Sequence, residues 1–273
     1  MIRVSSPYLL LALFGIFVAV LAWAVEPPLS RAAESAEEAG LRIATDARER
    51  EKGFGNFTAS LNMVLRNKRG QESRRELRLQ VIEVEGDGDR TMFVFDRPRD
   101  VKGTAFLVHA HKDEPDEQWL YLPALKRVKR ISSSNQSGSF MGSEFAYEDL
   151  GASEIEKYAY TYLRDEPCGE LECVVVERVP LDRKSGYSRQ IVWFDQEELR
   201  VQQIQFHDRR DAHLKTMVVE GYQMYLDRFW RASKITMTNH LTGKSTELHW
   251  LDYEFGTDLD VGDFTKTALK RIR

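Results

Sequence analysis

The chain has 273 residues, of which 42% are hydrophobic and 30% are charged, the balance of a globular protein with a full core. Its formal net charge is −4, and it becomes −5 once residues 1–24, whose only charge is Arg3, are left out. A general nucleic-acid-binding protein would show a strong basic excess, so the composition argues against nucleic acid as a partner.

The N-terminus has the pattern of an export signal. Arg3 precedes an almost wholly apolar run over 9–25, and Ala-Trp-Ala at 22–24 has the small-x-small form of a cleavage site. We therefore predict a cleaved signal peptide over 1–24. The run is close to the ~17-residue lower limit of a membrane-spanning helix, so an uncleaved anchor is the alternative. Both interpretations place the rest of the chain outside the cytoplasm.

A linker that contains proline and alanine, over 25–35, is predicted to lead into one domain over 36–273. The first segment of this domain, 36–52, is charged, alanine-rich and helix-forming, and the glycine that follows at 53 ends the pattern. A second, short basic helix is predicted over 263–273. These two segments flank a long region with no helical pattern of comparable length.

That region alternates apolar with polar residues in thirteen short segments. The predicted strands are 57–65, 77–81, 92–95, 104–109, 119–122, 127–131, 157–163, 173–179, 187–194, 201–206, 214–222, 230–238 and 247–255. Turn residues separate them, and no long helices intervene, which favours one large antiparallel sheet. A twisted sheet of this size curls. We therefore predict a mainly β (α+β) fold, a half-open β-barrel whose open side is covered by short helices and loops, with an apolar concavity inside.

Two cysteines, Cys168 and Cys173, are separated by four residues. This spacing suits a disulfide in a hairpin turn, which an oxidising compartment permits. Two free thiols are one alternative. Metal binding is the other, but two cysteines without a nearby histidine make a poor zinc site.

Aromatic and apolar side chains are concentrated between residues 118 and 150. We predict that they form the wall and the movable lid of a site for an acyl chain, because aromatic rings give large contact areas and methionine adapts to irregular shapes. Ordinary core packing is the alternative for each of them. The predicted ligand-binding residues are Trp119, Tyr121, Phe140, Met141, Phe145 and Tyr147.

A basic strand lies between these aromatic residues. Arg127, Lys129 and Arg130 place positive charges on both of its faces, which a fully buried strand would not tolerate. We predict that they contact a lipid phosphate or an acidic partner surface. The alternative is ion pairing with the acids of the following loop, Glu144, Glu148 and Asp149.

Signals for catalysis and for metal binding are weak in this sequence. His109 and His111 lie two residues apart with acids nearby, but a metal site needs further fixed ligands. There is no Gly-x-Ser-x-Gly elbow, no His-Glu-x-x-His helix and no phosphate-binding loop. We therefore expect no catalytic residue, no metal and no cofactor, and we predict that the protein is not an enzyme.

Two motifs carry a resemblance to a known family. QWLYLP at 118–123 is followed by RVKRI at 127–131, and SFMGSEF at 139–145 is followed by YED at 147–149. Together they resemble the signature of bacterial outer-membrane lipoprotein-sorting proteins of the LolA/LolB-like type. Weaker similarity extends over most of the remaining chain, including the cysteine pair and Phe-Thr-Lys at 264–266. The resemblance implies a periplasmic carrier that shields a lipid or acyl group in a half-open β-barrel, often beside an RND-type lipid exporter.

The residues and the resemblance lead to one functional hypothesis. The protein is expected to be a monomeric periplasmic carrier that binds a lipid or the acyl chain of a lipoprotein and passes it toward the outer membrane, with an RND-type exporter as partner. The alternative is a non-catalytic accessory subunit that docks onto a membrane transporter and carries no ligand.

Overall fold

Thirteen antiparallel strands form one continuous sheet within residues 34–152 and 154–272, the part of the chain that this computed structural model describes. The strands are Asn56–Arg66 (β1), Glu72–Ile82 (β2), Arg90–Arg97 (β3), Ala105–His109 (β4), Glu117–Leu122 (β5), Arg127–Ile131 (β6), Tyr158–Cys168 (β7), Leu171–Pro180 (β8), Tyr187–Asp195 (β9), Val201–Asp208 (β10), His213–Tyr225 (β11), Phe229–Asn239 (β12) and Lys244–Phe255 (β13). Each overlaps one predicted strand. The predicted signal peptide over 1–24 lies outside the described residues.

The strand order in the sheet is β6-β5-β4-β3-β2-β1-β13-β12-β11-β10-β9-β8-β7. Nearly every strand pairs with its neighbours in sequence, and β1 pairs with β13 through contacts such as Leu61 opposite Trp250. A first half of six strands and a second half of seven therefore meet in the middle, and β6 and β7 are left as the two edges. Because these edges do not pair within the described sheet, the curved sheet is the predicted half-open barrel.

Both faces of the sheet carry apolar clusters. Successive residues of a strand point to opposite faces, and in β3 Phe93 and Phe95 join the main core, whereas Met92 and Val94 join a second, smaller cluster. The face of the main core is called the inner face here. The opposite face is called the outer face.

A helix, α1 (Ala36–Glu51), covers the inner face of the second half and packs on β7 and β8. Ser35 and Glu38 form a capping box at its start, which satisfies backbone donors that the first turn leaves free. A Cβ on Gly40 would lie 2.6 Å from the backbone nitrogen of Tyr162, so glycine is required for this close approach. The helix ends just before Gly53, and the predicted helix over 36–52 is confirmed.

The outer face is covered in part by the C-terminal segment. Phe264 and Leu269 are fully buried against the outer face of the first half, where the short helix α2 (Lys266–Leu269) lies. In the second half, Cys168 and Cys173 form the predicted disulfide across the β7–β8 turn, with their Cα atoms 5.8 Å apart. No helix in the described ranges is long and apolar enough to cross a membrane.

Candidate functional site

An apolar cavity of about 400 Å³ lies between α1 and the inner face of the second half. This volume is at the small end of the ~300–1,000 Å³ range of ligand pockets in proteins. The helix contributes Ala44 and Ala47 to its wall. The strands contribute larger apolar side chains, among them Phe194, Ile204, Met217, Val219, Ile235 and Trp250.

The strand register explains why this wall is continuous. Ile204 of β10 lies opposite Met217 of β11, and Val219 of β11 lies opposite Ile235 of β12. Residues that pair across antiparallel strands share one face and stand side by side. The alternation of each strand therefore adds up to one apolar surface beneath the helix.

Charged residues surround the part of the cavity near the C-terminal end of α1. Arg48 Nη2 lies 3.0 Å from Glu154 and 3.2 Å from Asp89, and both carboxylates are buried. Arg231 pairs with Glu51 of the helix. Burial raises the pKa of the Asp89 and Glu154 carboxyls, and the attraction of Arg48 opposes that shift. These ion pairs fasten the C-terminal end of α1 to the sheet.

Two further arginines line the cavity with few partners. Arg178 donates from Nε to Gln190 Oε1 at 2.7 Å, and its guanidinium lies 4.8 Å from the ring centre of Tyr158. Arg200 donates from Nε to Asp195 at 2.9 Å and lies 4.5 Å from the ring of Trp230. Both guanidinium groups are thus held in place from one side.

The segment 139–150 crosses the inner face of the first half, and we call it the strap. Phe140 is fully buried, with its ring centre 5.2 Å from that of Phe106 and 5.8 Å from that of Phe95. Phe145 is also buried in the main core. The strap therefore fills the part of the inner face that α1 leaves uncovered.

Polar contacts anchor the strap to the second half. Lys215 Nζ lies 2.7 Å from Asp149 Oδ2, and these side chains are only 4% and 5% exposed. Tyr187 donates its hydroxyl to Asp149 Oδ1 at 2.8 Å, and burial raises the pKa of that hydroxyl well above its usual value. On the other side, Arg75 donates to the Met141 carbonyl at 2.6 Å. Together with the burial of Phe140 and Phe145, these contacts hold the strap on the inner face.

The structure separates the six predicted ligand-binding residues into two groups. Four of them lie on the strap and pack over the first half of the inner face: Phe140, Met141, Phe145 and Tyr147. The other two, Trp119 and Tyr121, belong to the outer cluster, where Lys266 Nζ lies 4.8 Å from the Trp119 ring centre. None of these six described residues lines the cavity beneath α1. Their contact with a ligand therefore stays a prediction.

The three basic residues of β6 are exposed on an edge of the sheet. Arg130 pairs with Glu117 at 3.2 Å, while Arg127 and Lys129 form no ion pair within the described ranges. The alternative pairing with the strap acids is not formed, because Glu144, Glu148 and Asp149 bind other partners: Asn239, Ser185 and Lys215, respectively.

The two histidines considered for metal binding have other contacts. His109 Nε2 lies 2.7 Å from the Phe264 carbonyl, and His111 Nδ1 lies 2.7 Å from Asp87. Nowhere in the described ranges do three His, Cys, Asp or Glu side chains form a group suited to a metal ion.

The cavity residues were not among those predicted from the sequence, although one signal was present. Arg178 follows Val174 and Val176 at intervals of two, so it occupies an inward position of β8 where the pattern calls for an apolar residue. A charged residue at such a position is costly unless it is paired or has a function. An arginine at an inward strand position is therefore the signal in the sequence that points to this cavity.

Comparison with known proteins gives the family. A family model described only as that of an uncharacterized protein matches residues 87–271. The structure of an outer membrane lipoprotein-sorting protein domain from Vibrio parahaemolyticus is 52% identical, with a TM-score of 0.85, and the match covers 86% of this chain and all of that one. No curated protein matches the chain.

Two more distant structures support the fold alone. A DUF1329 family protein from Desulfovibrio piger is 24% identical, with a TM-score of 0.81 over 86% of this chain and 99% of that one. A LolA superfamily protein from Nitrosomonas europaea is 20% identical, with a TM-score of 0.68 over 84% and 98%. The chain thus has the half-barrel fold of the LolA-like structures, and by its identity to the Vibrio domain it belongs to the outer membrane lipoprotein-sorting protein family.

Proposed function

We propose that this protein is a periplasmic carrier that holds a lipid, or the acyl chain of a lipoprotein, and passes it toward the outer membrane. The observation that carries the proposal is the apolar cavity of about 400 Å³ between α1 and the inner face. The name of the Vibrio relative, an outer membrane lipoprotein-sorting protein domain, supports the same role. The domain that performs it would extend over 36–273, after a signal peptide and linker.

Burial of apolar surface would supply the binding energy. Each methylene group moved from water into the cavity contributes ~0.8 kcal/mol, and no covalent bond to the guest is needed. The guest leaves when an acceptor offers it better burial. No catalytic residue or cofactor takes part in this mechanism.

We infer that α1, rather than the strap, is the part that moves. The buried face of α1 is small, consisting of Gly40, Ile43 and Ala44, and the helix continues into β1 through the glycines at 53 and 55. Both glycines have positive φ, at 92° and 72°. Buried ion pairs hold both covers, but the strap also buries the large rings of Phe140 and Phe145, whereas the helix buries mainly small side chains. We therefore propose the N-terminal helix as the movable lid, in place of the loop over 140–150 that the sequence suggests.

The cavity is tested by filling it. Met217→Trp places a larger ring in the wall, and we expect it to weaken binding of a fluorescent fatty-acid probe about tenfold. Overpacking of this kind costs ~1–3 kcal/mol of stability, so the variant should still fold. Leu241→Trp is the control, because Leu241 is 63% exposed and lies outside the cavity wall.

Two outcomes would count against the carrier. The first is equal probe binding by the Met217→Trp and Leu241→Trp variants. The second is wild-type protein that takes up no probe and that native mass spectrometry finds empty after mild purification from its periplasm.

A docking role is the second candidate, and the exposed basic edge favours it. Arg127 and Lys129 are free of ion pairs among the described residues and lie on β6. We infer that this edge contacts an acidic surface of a membrane exporter of the RND type. A carrier could also dock in this way. If the cavity holds no ligand, docking would be the function of the protein.

A further inference from the structure

Unpartnered hydrogen-bond donors line the cavity at its β7–β8 end. Tyr160 of β7 lies directly opposite Arg178 of β8, and both line the cavity. The Tyr160 hydroxyl and the terminal nitrogens of Arg178 have no hydrogen-bond partner among the described residues. Neither group is among the buried atoms that lack a partner, so both donors are accessible and stand side by side in a mostly apolar wall.

A third donor is Arg48 Nε of α1. It is one of three buried side-chain polar atoms without a partner in the described ranges, the others being Gln118 Oε1 and Thr236 Oγ1. Of these three residues, Arg48 is the one that lines the cavity. The Nη2 atom of the same Arg48 side chain, in contrast, donates hydrogen bonds to Glu154 and Asp89. The Nε atom is itself buried, so a guest would reach it only if the Arg48 side chain moved.

We propose that this end of the cavity binds the anionic group of a single-chain amphiphile, a carboxylate or a phosphate, through Arg178 and Tyr160. The acyl chain lies along the apolar wall formed by Ile204, Met217 and Ile235. This inference rests on the carrier function proposed above and specifies the class of its guest.

The chemistry of arginine favours an anion over any neutral acceptor. A guanidinium binds carboxylate and phosphate oxygens with two parallel hydrogen bonds. Arg178 is fixed for this purpose, because Gln190 accepts from its Nε and the Tyr158 ring lies beneath it. No carboxylate of the described residues pairs with it, so its charge is available to a guest.

The cavity volume favours one chain. At about 400 Å³ the cavity is near the lower limit of the volumes that hold a drug-sized ligand. A neutral lipid of equal length would fill the same apolar space, but its hydroxyl and ester oxygens would accept weaker hydrogen bonds from Arg178 and Tyr160 than an ionised group does. The site therefore discriminates by charge rather than by chain length.

The test compares four probes on the full chain, using the fluorescence of Trp230 and Trp250, which line the cavity. The probes are palmitate, palmitoyl lysophosphatidate, monopalmitoylglycerol and inorganic phosphate. We expect the two anionic lipids to bind about tenfold more tightly than the neutral one, equivalent to ~1.4 kcal/mol. Phosphate alone should give no saturable change.

Variants then locate the preference. Arg178→Gln should weaken binding of the two anionic lipids about tenfold more than binding of monopalmitoylglycerol, so that the preference for anionic lipids is lost. Tyr160→Phe removes only the hydroxyl and should reduce the preference several-fold, which provides a second variant if Arg178→Gln does not fold. Arg183→Gln, at an exposed arginine of the β8–β9 turn, is the matched control and should retain the preference.

The outcomes separate this inference from the function on which it rests. Equal affinity of the wild type for all three lipids overturns the anion site but leaves the carrier intact. Equal weakening of all lipids by Arg178→Gln also overturns it. If inorganic phosphate binds as tightly as lysophosphatidate, the site recognises free anions, and the inference of an amphiphile as guest is overturned. If no lipid binds, the carrier function fails as well.

Discussion

At the scale of single residues, His109 joins the sheet to the C-terminal segment. Its Nε2 lies 2.7 Å from the Phe264 carbonyl, so this nitrogen carries the proton and donates. Burial lowers the pKa of His109, and the hydrogen bond to Phe264 opposes that shift. The neutral ring is therefore the form that the folded protein favours.

This lowered pKa predicts a pH dependence. Below a pH of about 6.5 the unfolded chain binds a proton that the folded ring resists, so the free energy of unfolding falls as the pH drops toward the folded pKa. We expect the urea midpoint of the wild type to fall more between pH 7.5 and 5.5 than that of His109→Gln, which keeps an N–H donor but does not titrate. Equal falls in the two proteins would contradict the prediction.

At the scale of secondary structure elements, Gly40 controls how closely α1 approaches β7. Alanine at this position would improve helix propensity by ~1 kcal/mol, but its Cβ would meet the Tyr162 nitrogen at 2.6 Å. We expect Gly40→Ala to lower stability and to speed the release of a bound fatty-acid probe several-fold, because the lid no longer closes fully. Leu41→Ala, at a position 47% exposed, should change neither. Stabilisation by Gly40→Ala with unchanged release would show that α1 is not a tightly packed lid.

The elements were predictable from the sequence, but the faces of some were not. Strands such as β1 bury Phe57, Ala59 and Leu61 and leave alternate residues less buried, so a local period of two reveals them. In β5 the neighbours Trp119 and Leu120 are both buried, one on each face. Where both faces are apolar, alternation carries no information about which face is inner. The sequence therefore predicts Trp119 in the ligand site without showing its face, and the structure places it in the outer cluster.

At the scale of the whole molecule, two covers divide the inner face. The strap fills the first half with aromatic side chains, and α1 roofs the second half with small ones. The motif around Phe140 is conspicuous in the sequence because it is dense in large side chains. The cavity, in contrast, is formed by residues that are far apart in the chain, such as Ala44 and Ile235. Such a cavity depends on packing between distant elements, which no local pattern encodes.

The same architecture leaves β6 as an open edge, and its cations have two explanations. Charged residues on an edge strand prevent pairing with another chain, and exposed cations also attract an acidic partner. Reversal of both charges in Arg127→Glu/Arg130→Glu separates the two. If the edge docks onto an RND-type exporter, pull-down of the detergent-solubilised exporter should be lost while the variant remains monomeric.

The control for this reversal is Arg183→Glu/Lys244→Glu, which changes the net charge equally at exposed positions outside β6. It should retain the pull-down, since the effect depends on where the charges lie rather than on the total charge. The wild-type interaction should also weaken as salt is raised toward 1 M, where the screening length falls to ~3 Å. The contrary outcome is a reversed variant that keeps its binding to the exporter, with or without aggregation. In that case the basic residues of β6 serve to prevent pairing of the sheet edge with other chains and do not form the docking surface.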